Sequence, residues 1–233
     1  MYHEPVLANI SVEALEINPD GVYVDATFGG GGHAKRILNK LSDKGRLIAF
    51  DQDPDVIGNV THDERLIFVP HNFRYIRRFL KLNGYLKVDG ILADLGVSSY
   101  QFDTESRGFS FRMDGLLDMR MNPSTGKSAA DILNTYTEDK LHKIFGIYGE
   151  VKNAKSLAQT IAASRLTQPI LTLVDFKKVI AAHIPKGKEN KYMAQVFQAL
   201  RIEVNAEIEV LENFLEQTAS VLKPGGRLVV MSY

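Results

Sequence analysis

A doubly wound, Rossmann-like α/β sheet carrying an inserted helical domain is the fold this sequence predicts, on three observations. Short apolar runs alternate with helical patterns through the first hundred residues. That rhythm stops between residue 103 and about residue 199, where no convincing strand is found. It resumes near the end with a helical pattern, a Pro-Gly-Gly stop and one more apolar run. Strand–helix alternation of this kind builds a parallel sheet with helices on its faces.

Residues 22–28, 46–51, 66–70 and 89–95 read as strands. They are continuous apolar runs without strict alternation, as expected of strands covered on both faces. Between them 34–41, 54–59 and 74–82 read as helices, the middle one short. In the interrupted stretch a helix starts at Thr137, a capping residue followed by two acids. Others cover 153–165 and 172–183, the latter following Pro169. Pro185-Lys-Gly-Lys reads as a solvated basic turn. A long helix is predicted over 194–222, stopped by Lys223-Pro-Gly-Gly, with a last strand at 227–233. The domains expected are therefore 1–102 with 198–233, binding a cofactor, and 103–197, inserted and mainly helical. A doubly wound sheet commonly carries further strands after this point, so truncation is an expectation.

Composition narrows the class. With 233 residues and 45% hydrophobic content the chain can bury a core in one or two domains. It has no cysteine, which excludes disulfides and thiolate metal sites and fits a reducing compartment. Met1-Tyr-His-Glu-Pro has neither the basic nor the apolar part of a leader, and no apolar run reaches membrane-spanning length. A soluble, cytoplasmic protein with no membrane partner is expected. Net charge is zero, against a strongly basic nucleic-acid binder. Residues 103–197 nevertheless hold 14 Lys/Arg against 10 Asp/Glu, while the rest holds 14 against 18. The middle segment thus tolerates a polyanionic partner.

Chemistry concentrates in Asp25-Ala-Thr-Phe-Gly-Gly-Gly-Gly-His33. Glycines between a strand and a helix let a ligand lie against the main chain near free N–H groups. The stretch satisfies D-x-x-x-G-x-G, and through Gly29, Gly31 and Ala34 also the dinucleotide pattern G-x-G-x-x-A. A carboxylate at Asp25 would repel a pyrophosphate and attract an ammonium or sulfonium. The loop therefore favours S-adenosylmethionine over a nicotinamide or flavin nucleotide.

Asp51 closes the second strand, where an acid in doubly wound folds accepts hydrogen bonds from ribose hydroxyls. Asp53, directly before Pro54, suits a helix cap better. Phe73 stands where a loop could cover an adenine, and an aromatic there serves equally as core. Arg74, Arg77, Arg78 and Lys81 share a helix face, by default a solvated one and alternatively a phosphate contact. Asp94 ends the fourth strand in Asp94-Leu-Gly-Val-Ser-Ser99. That is where parallel sheets react, although the Pro-Pro-aromatic of amino-directed methyltransferases is missing. Arg107-Gly-Phe-Ser-Phe-Arg-Met-Asp-Gly and Asp118-Met-Arg-Met121 set arginines among aromatics. This suits RNA contact and base stacking as well as a folded lid with buried Phe and solvated Arg. His3, His33 and His71 are too scattered for a metal, and no metal site is expected.

Taken in order, these pieces resemble the bacterial 16S rRNA cytosine-N4 methyltransferase family, RsmH or MraW. The matching stretches are His3-Glu-Pro-Val-Leu7, Asp25 to His33, Asp51-Gln-Asp-Pro54 and Asp94-Leu-Gly-Val-Ser-Ser-Tyr-Gln101. Arg107-Gly-Phe-Ser-Phe111, Asp118-Met-Arg-Met121, Tyr148-Gly-Glu150 and Phe197-Gln-Ala-Leu-Arg-Ile202 complete them. The resemblance implies an S-adenosylmethionine site formed by Gly31, Gly32, His33, Asp51, Phe73, Asp94 and Gln101. It implies methylation of the N4 amine of a P-site cytidine in 16S rRNA of the small ribosomal subunit, without a metal, and 103–197 as the RNA-recognition domain. A homodimer is compatible with it. Asp94 is the catalytic candidate, with a carbonyl in residues 95–99 as the alternative acceptor and cofactor binding alone as the alternative role, and Tyr100, Phe109 and Phe111 are candidates for stacking on a flipped base. Departures are Tyr100 where a proline is common, Leu116 in the Asp114-Gly-Leu-Leu-Asp118 lid, and Gln195 in place of an arginine. The family also continues beyond the last strand. Methylation of DNA or a small molecule, a donor- or RNA-binding module inactive for want of that continuation, and a nicotinamide oxidoreductase are the competing readings.

Overall fold

A computed structural model describes residues 7–232. Of the stretch at residues 3–7 singled out above, only Leu7 is among them, and His3 lies outside. The chain divides into two compact units, one holding residues up to Ser98 and from Glu209 onward, the other Ser99–Ile208. The chain returns to the first unit at Glu209 rather than at 198. The helix spanning that interval packs within the other unit, so its apolar face belongs there.

The first unit is a five-stranded sheet in the order β3-β2-β1-β4-β5, every pair parallel. Its elements are α1 (Ala8–Ala14), β1 (Val22–Asp25), α2 (Gly32–Leu38), β2 (Arg46–Phe50), a 3₁₀ segment (Pro54–Asn59), β3 (Leu66–Val69), a 3₁₀ turn (Phe73–Tyr75), α3 (Ile76–Leu82) and β4 (Val88–Asp94). Burial explains the apolar runs. Tyr23, Leu47, Ala49 and Leu92 enter one core cluster with Phe28, Ile37 and Val12. Val24, Ile48, Phe50, Ile91 and Ala93 enter the other with Ile76, Leu80 and Phe214. Alternate residues of each strand are thus buried on opposite faces, and neither face is free to be polar.

Several further expectations need correction. Helix α1 is additional to the predicted elements. Its N-cap, Leu7, is left-handed at φ 55° and gives no side-chain cap, so the sequence carries no start signal. The strands at 22–28 and 66–70 end earlier, at Asp25 and Val69, where the chain turns into loops. The long helix 194–222 is two helices, α9 (Glu189–Val204) and α10 (Glu207–Val221). At the break Ala206 is left-handed at φ 48°. Asn205 donates to the carbonyls of Met119 and Arg201 at 2.8 and 2.9 Å and accepts from the Met121 N–H at 2.8 Å, while Arg201 bridges the gap to Glu207. A side chain so engaged with a neighbouring loop ends the helix. Finally, strand pairing begins at once after α10, in β5 (Leu222–Met231). Leu222 faces Val88 and Arg227 faces Gly90, so Lys223-Pro-Gly-Gly loops out opposite Asp89. Gly225 adopts φ +80° there, and Lys223 holds Asp89 at 2.8 Å.

The second unit is helical: α4 (Ser99–Asp103), a 3₁₀ turn (Glu105–Arg107), α5 (Ala129–Thr135), α6 (Glu138–Ile147), α7 (Ala154–Ser164), α8 (Leu173–Ile180), a further 3₁₀ turn (Ala181–His183) and α9. Helix α5 is also additional to the prediction, although Ser128 and Asp131 form a capping box legible as S-x-x-D. Phe145, Leu157, Phe176 and Val196 are fully buried in this unit. A single bridge, Leu116 to Thr172, is the extended pairing formed here among the described residues.

Candidate active site

The strand order reverses at β1. The chain leaves it for β2 and β3 on one side, then crosses to β4 on the other. Ligands of open α/β sheets bind outside the carboxyl ends of strands at such a switch point. Asp25 and Asp94 end β1 and β4, and Asp51 directly follows β2. Three adjacent strands therefore deliver three acids to one edge of the sheet.

Past Asp25 the main chain divides its hydrogen bonds. The Ala26 N–H still reaches the Leu92 carbonyl at 2.8 Å, but the Phe28 N–H turns to Phe50 at 2.9 Å. The glycine loop thus straddles the two neighbouring strands. Gly29 and Gly31 have φ of +50° and +75°, and a Cβ at Gly31 would meet the Phe28 ring at 3.1 Å. Gly31 is the N-cap of α2, and Gly32 and His33 begin that helix, whose first N–H groups have no intrahelical acceptor. The donor candidates Gly31, Gly32 and His33 therefore lie in one turn beside the three acids.

Electrostatics here are unusual for a surface loop. Asp25 is fully buried; its Oδ1 accepts from the Thr27 N–H at 3.1 Å and its Oδ2 has no partner among the described residues. Burial, reinforced by the charges of Asp51 and Asp94, pushes its carboxyl up to about 7. Burial also raises Asp51 and Asp94. His33 Nε2 is likewise buried without a partner, and burial with Arg36 nearby lowers that imidazole to about 4. It is neutral at ordinary pH. Two unsatisfied polar atoms at one loop are costly unless a ligand completes them.

Asp51 is more than a ligand candidate. Its two oxygens accept the Gly29 N–H at 2.8 Å and the Asp53 N–H at 2.9 Å, so it ties the loop to the chain after β2. Asp53 caps the segment from Pro54 by accepting the Asp55 N–H at 3.0 Å. Asp94 presents its N–H to Thr27 Oγ1 at 2.8 Å, and no described residue donates to its carboxylate. Thr27 is a positioning contact absent from the sequence prediction, and only its place in the glycine stretch hinted at it.

Phe73 follows β3, half-buried, with its ring edge-on to Phe214 at 5.0 Å. It is anchored as a core residue whatever else it covers. Arg74 pairs with Glu209, while Arg77, Arg78 and Lys81 are exposed, in keeping with a solvated face. Gln101 belongs to the other unit, buried in α4.

Of the arginines in residues 107–121 of that other unit, Arg112 is exposed as the folded reading expects, and Arg107 departs from both sequence readings. Arg107 is buried and donates to the carbonyls of Arg120 and Met121 at 3.1 and 3.0 Å, with Phe109 buried beneath it. Arg120 is neutralised by Asp118 at 2.6 Å. Phe109 is thus a core residue, which withdraws it as a stacking candidate. Phe111 is half-buried on Phe197, and Tyr100 is 39% exposed.

Comparison with known proteins adds lineage. A profile of the MraW methylase family matches residues 1–233. A protein of Cytophaga hutchinsonii named ribosomal RNA small subunit methyltransferase H is 55% identical, covering 100% of this chain and 78% of that protein. Proteins of the same name from Flavobacterium johnsoniae and Bacteroides fragilis are 52% and 53% identical, covering 100% of this chain and 77% and 76% of theirs. Among solved structures, Aeropyrum pernix fibrillarin in complex with natively bound S-adenosyl-L-methionine is 11% identical with a TM-score of 0.31, over 70% of this chain and 71% of that one. That likeness is too distant to argue from.

Proposed function

This chain belongs to the MraW methylase family, and we propose that it uses S-adenosylmethionine to methylate the N4 amine of a P-site cytidine in 16S rRNA of the small ribosomal subunit. The observation that carries this reading is the convergence of Asp25, Asp51 and Asp94 on a glycine loop, with Asp25 Oδ2 left unsatisfied. Three acids at one edge of the sheet suit a cation and oppose a pyrophosphate. Bound there, S-adenosylmethionine supplies an electrophilic methyl carbon on a positively charged sulfur.

Each residue then has a distinct task. The turn at Gly31, Gly32 and His33 holds the donor against the main chain, with His33 Nε2 offering its free site. Asp51 accepts the ribose hydroxyls through lone pairs not used by Gly29 and Asp53. Phe73 flanks the adenine. The cytosine amine is a poor nucleophile because its lone pair is delocalised into the ring. Alignment is therefore the main work, with Asp94, or a carbonyl in residues 95–99, accepting a hydrogen bond from the amine and so orienting its lone pair. The helical unit, with its basic surplus, supplies the RNA contacts, and Tyr100 is the most exposed of the three stacking candidates. The setting is cytoplasmic.

Methyl transfer from labelled donor to purified small subunits, with DNA and free nucleosides as competing acceptors, tests this. Label should enter the rRNA and be recovered as N4-methylcytidine. Transfer to DNA or nucleosides in preference, or donor binding with no transfer, would overturn it.

A further inference from the structure

The glycine loop is held at a point for which the donor site by itself does not account. Gly29, first of four consecutive glycines, has no side chain with which to anchor its peptide. Side chains from elsewhere grip that residue on both sides. Asp51 accepts its N–H at 2.8 Å, and the Asn59 side-chain amide donates to its carbonyl at 3.1 Å. We propose that Asn59 is a positioning residue that, together with Asp51, locks the Gly29 backbone and so preorganises the loop for the donor. The effect on donor affinity rests on the donor reading above.

The contacts form a closed path. From Gly29 N–H the path runs to one oxygen of Asp51, and from the other oxygen to the Asp53 N–H at 2.9 Å. Asp53, 2% exposed, caps the 3₁₀ segment Pro54–Asn59. The last residue of that segment, Asn59, returns to the Gly29 carbonyl. The segment cannot drift, because Val56 is buried in the same apolar cluster as Phe28, the residue before Gly29. Val60, just past Asn59, packs against that cluster too. A backbone with the freedom of four glycines loses much entropy when ordered. Fixing the two peptide units that flank the Gly29 Cα before the donor arrives removes part of that cost from binding. Asn59 does not touch the reacting atoms in this account; it acts through the loop.

The test compares wild type with Asn59→Ala and Asn59→Asp. Alanine removes the amide. Aspartate keeps the shape but faces the Gly29 carbonyl with an acceptor, so a role in packing alone would leave that variant like wild type. A neutral hydrogen bond of ordinary strength corresponds to a donor Kd raised about 2- to 12-fold in Asn59→Ala, and at least as much in Asn59→Asp. Turnover at saturating donor should stay near the wild-type rate. Independently, amide exchange measured by mass spectrometry on donor-free protein should be faster in the peptide spanning Gly29–Gly32 for both variants, with exchange in β1 and β2 unchanged. Wild-type affinity in Asn59→Asp, or unchanged loop exchange in either variant, would overturn the proposal. If wild type bound no S-adenosylmethionine, the donor reading would fall on its own, and the exchange arm would still judge the clamp.

Discussion

Asp25→Asn separates what the fold tolerates from what the site needs. The substitution keeps the shape of the side chain and an oxygen for the Thr27 N–H, and it removes a charge. In the free protein the carboxyl is raised from 3.8 to about 7 by burial and by repulsion from Asp51 and Asp94. The native state therefore holds a proton that the unfolded chain has lost between roughly pH 4 and pH 7, so this group lowers stability as pH rises through that window. At pH 8 the native protein carries the charge at nearly the full penalty. At about 1.4 kcal/mol per pK unit that penalty is of order 4 kcal/mol, and the cost of burying an amide returns part of it. Asp25→Asn should thus stabilise the donor-free protein by about 1–3 kcal/mol at pH 8. The same change takes a carboxylate from the cationic donor, costing about 1.5–3 kcal/mol, or about 10- to 150-fold in Kd. Stability rises while affinity falls. Urea unfolding at pH 8 and at pH 5, beside calorimetric titration with S-adenosylmethionine, measures both signs. A variant less stable than wild type at pH 8, or one binding the donor within twofold of it, would refute the reasoning.

Other expectations follow from the same geometry. His33 is lowered to about 4, so its native form excludes a proton that the unfolded chain takes up below about pH 6.5. Its contribution to stability is lost as pH falls from 6.5 toward 4, opposing Asp25. Asp25→Asn should therefore gain stability with rising pH across that window in urea titrations, whereas wild type should be flatter. Asp94→Asn should reduce turnover at saturating donor by about 100-fold, as expected for losing an aligned proton acceptor, and a radiolabel assay at wild-type rate would remove it from the chemistry. Gly31→Ala forces a side chain into φ +75° against the Phe28 ring, and should cost about 1–2 kcal/mol of stability together with donor affinity. Asn205→Ala loses three hydrogen bonds inside the helical unit and should lower stability by about 2–3 kcal/mol in thermal melts, leaving donor Kd unchanged.

The sheet was legible because its cause is local. Continuous apolar runs such as those at 46–51 and 89–95 announce strands buried on both faces, and both clusters of the core fill from alternate residues of those runs. Asp53 as a cap was legible because Asp-Pro is a local signal with a fixed meaning, and Asp53 accepts the Asp55 N–H as that signal implies. Helix α1 was not, since its start lacks any capping side chain. The unbroken 194–222 helix failed for a different reason. Propensity and periodicity continue through Asn205, and the break is made by two hydrogen bonds to Met119 and Met121, residues more than eighty positions away.

At the site the same division holds. Residue order along the chain suffices to set glycines after a strand and acids at three strand ends, because a parallel sheet places every strand's carboxyl end at one edge. Chain order alone carries no information about solvent exclusion. Burial turns Asp25 into a group that titrates near neutrality, orphans His33 Nε2, and encloses Arg107, which the reading with buried Phe left to solvent. Nor does sequence reveal that Asp51 and Asn59 grip opposite sides of one glycine residue. Such bonds join segments that only folding brings within reach, and their strength depends on the water excluded around them.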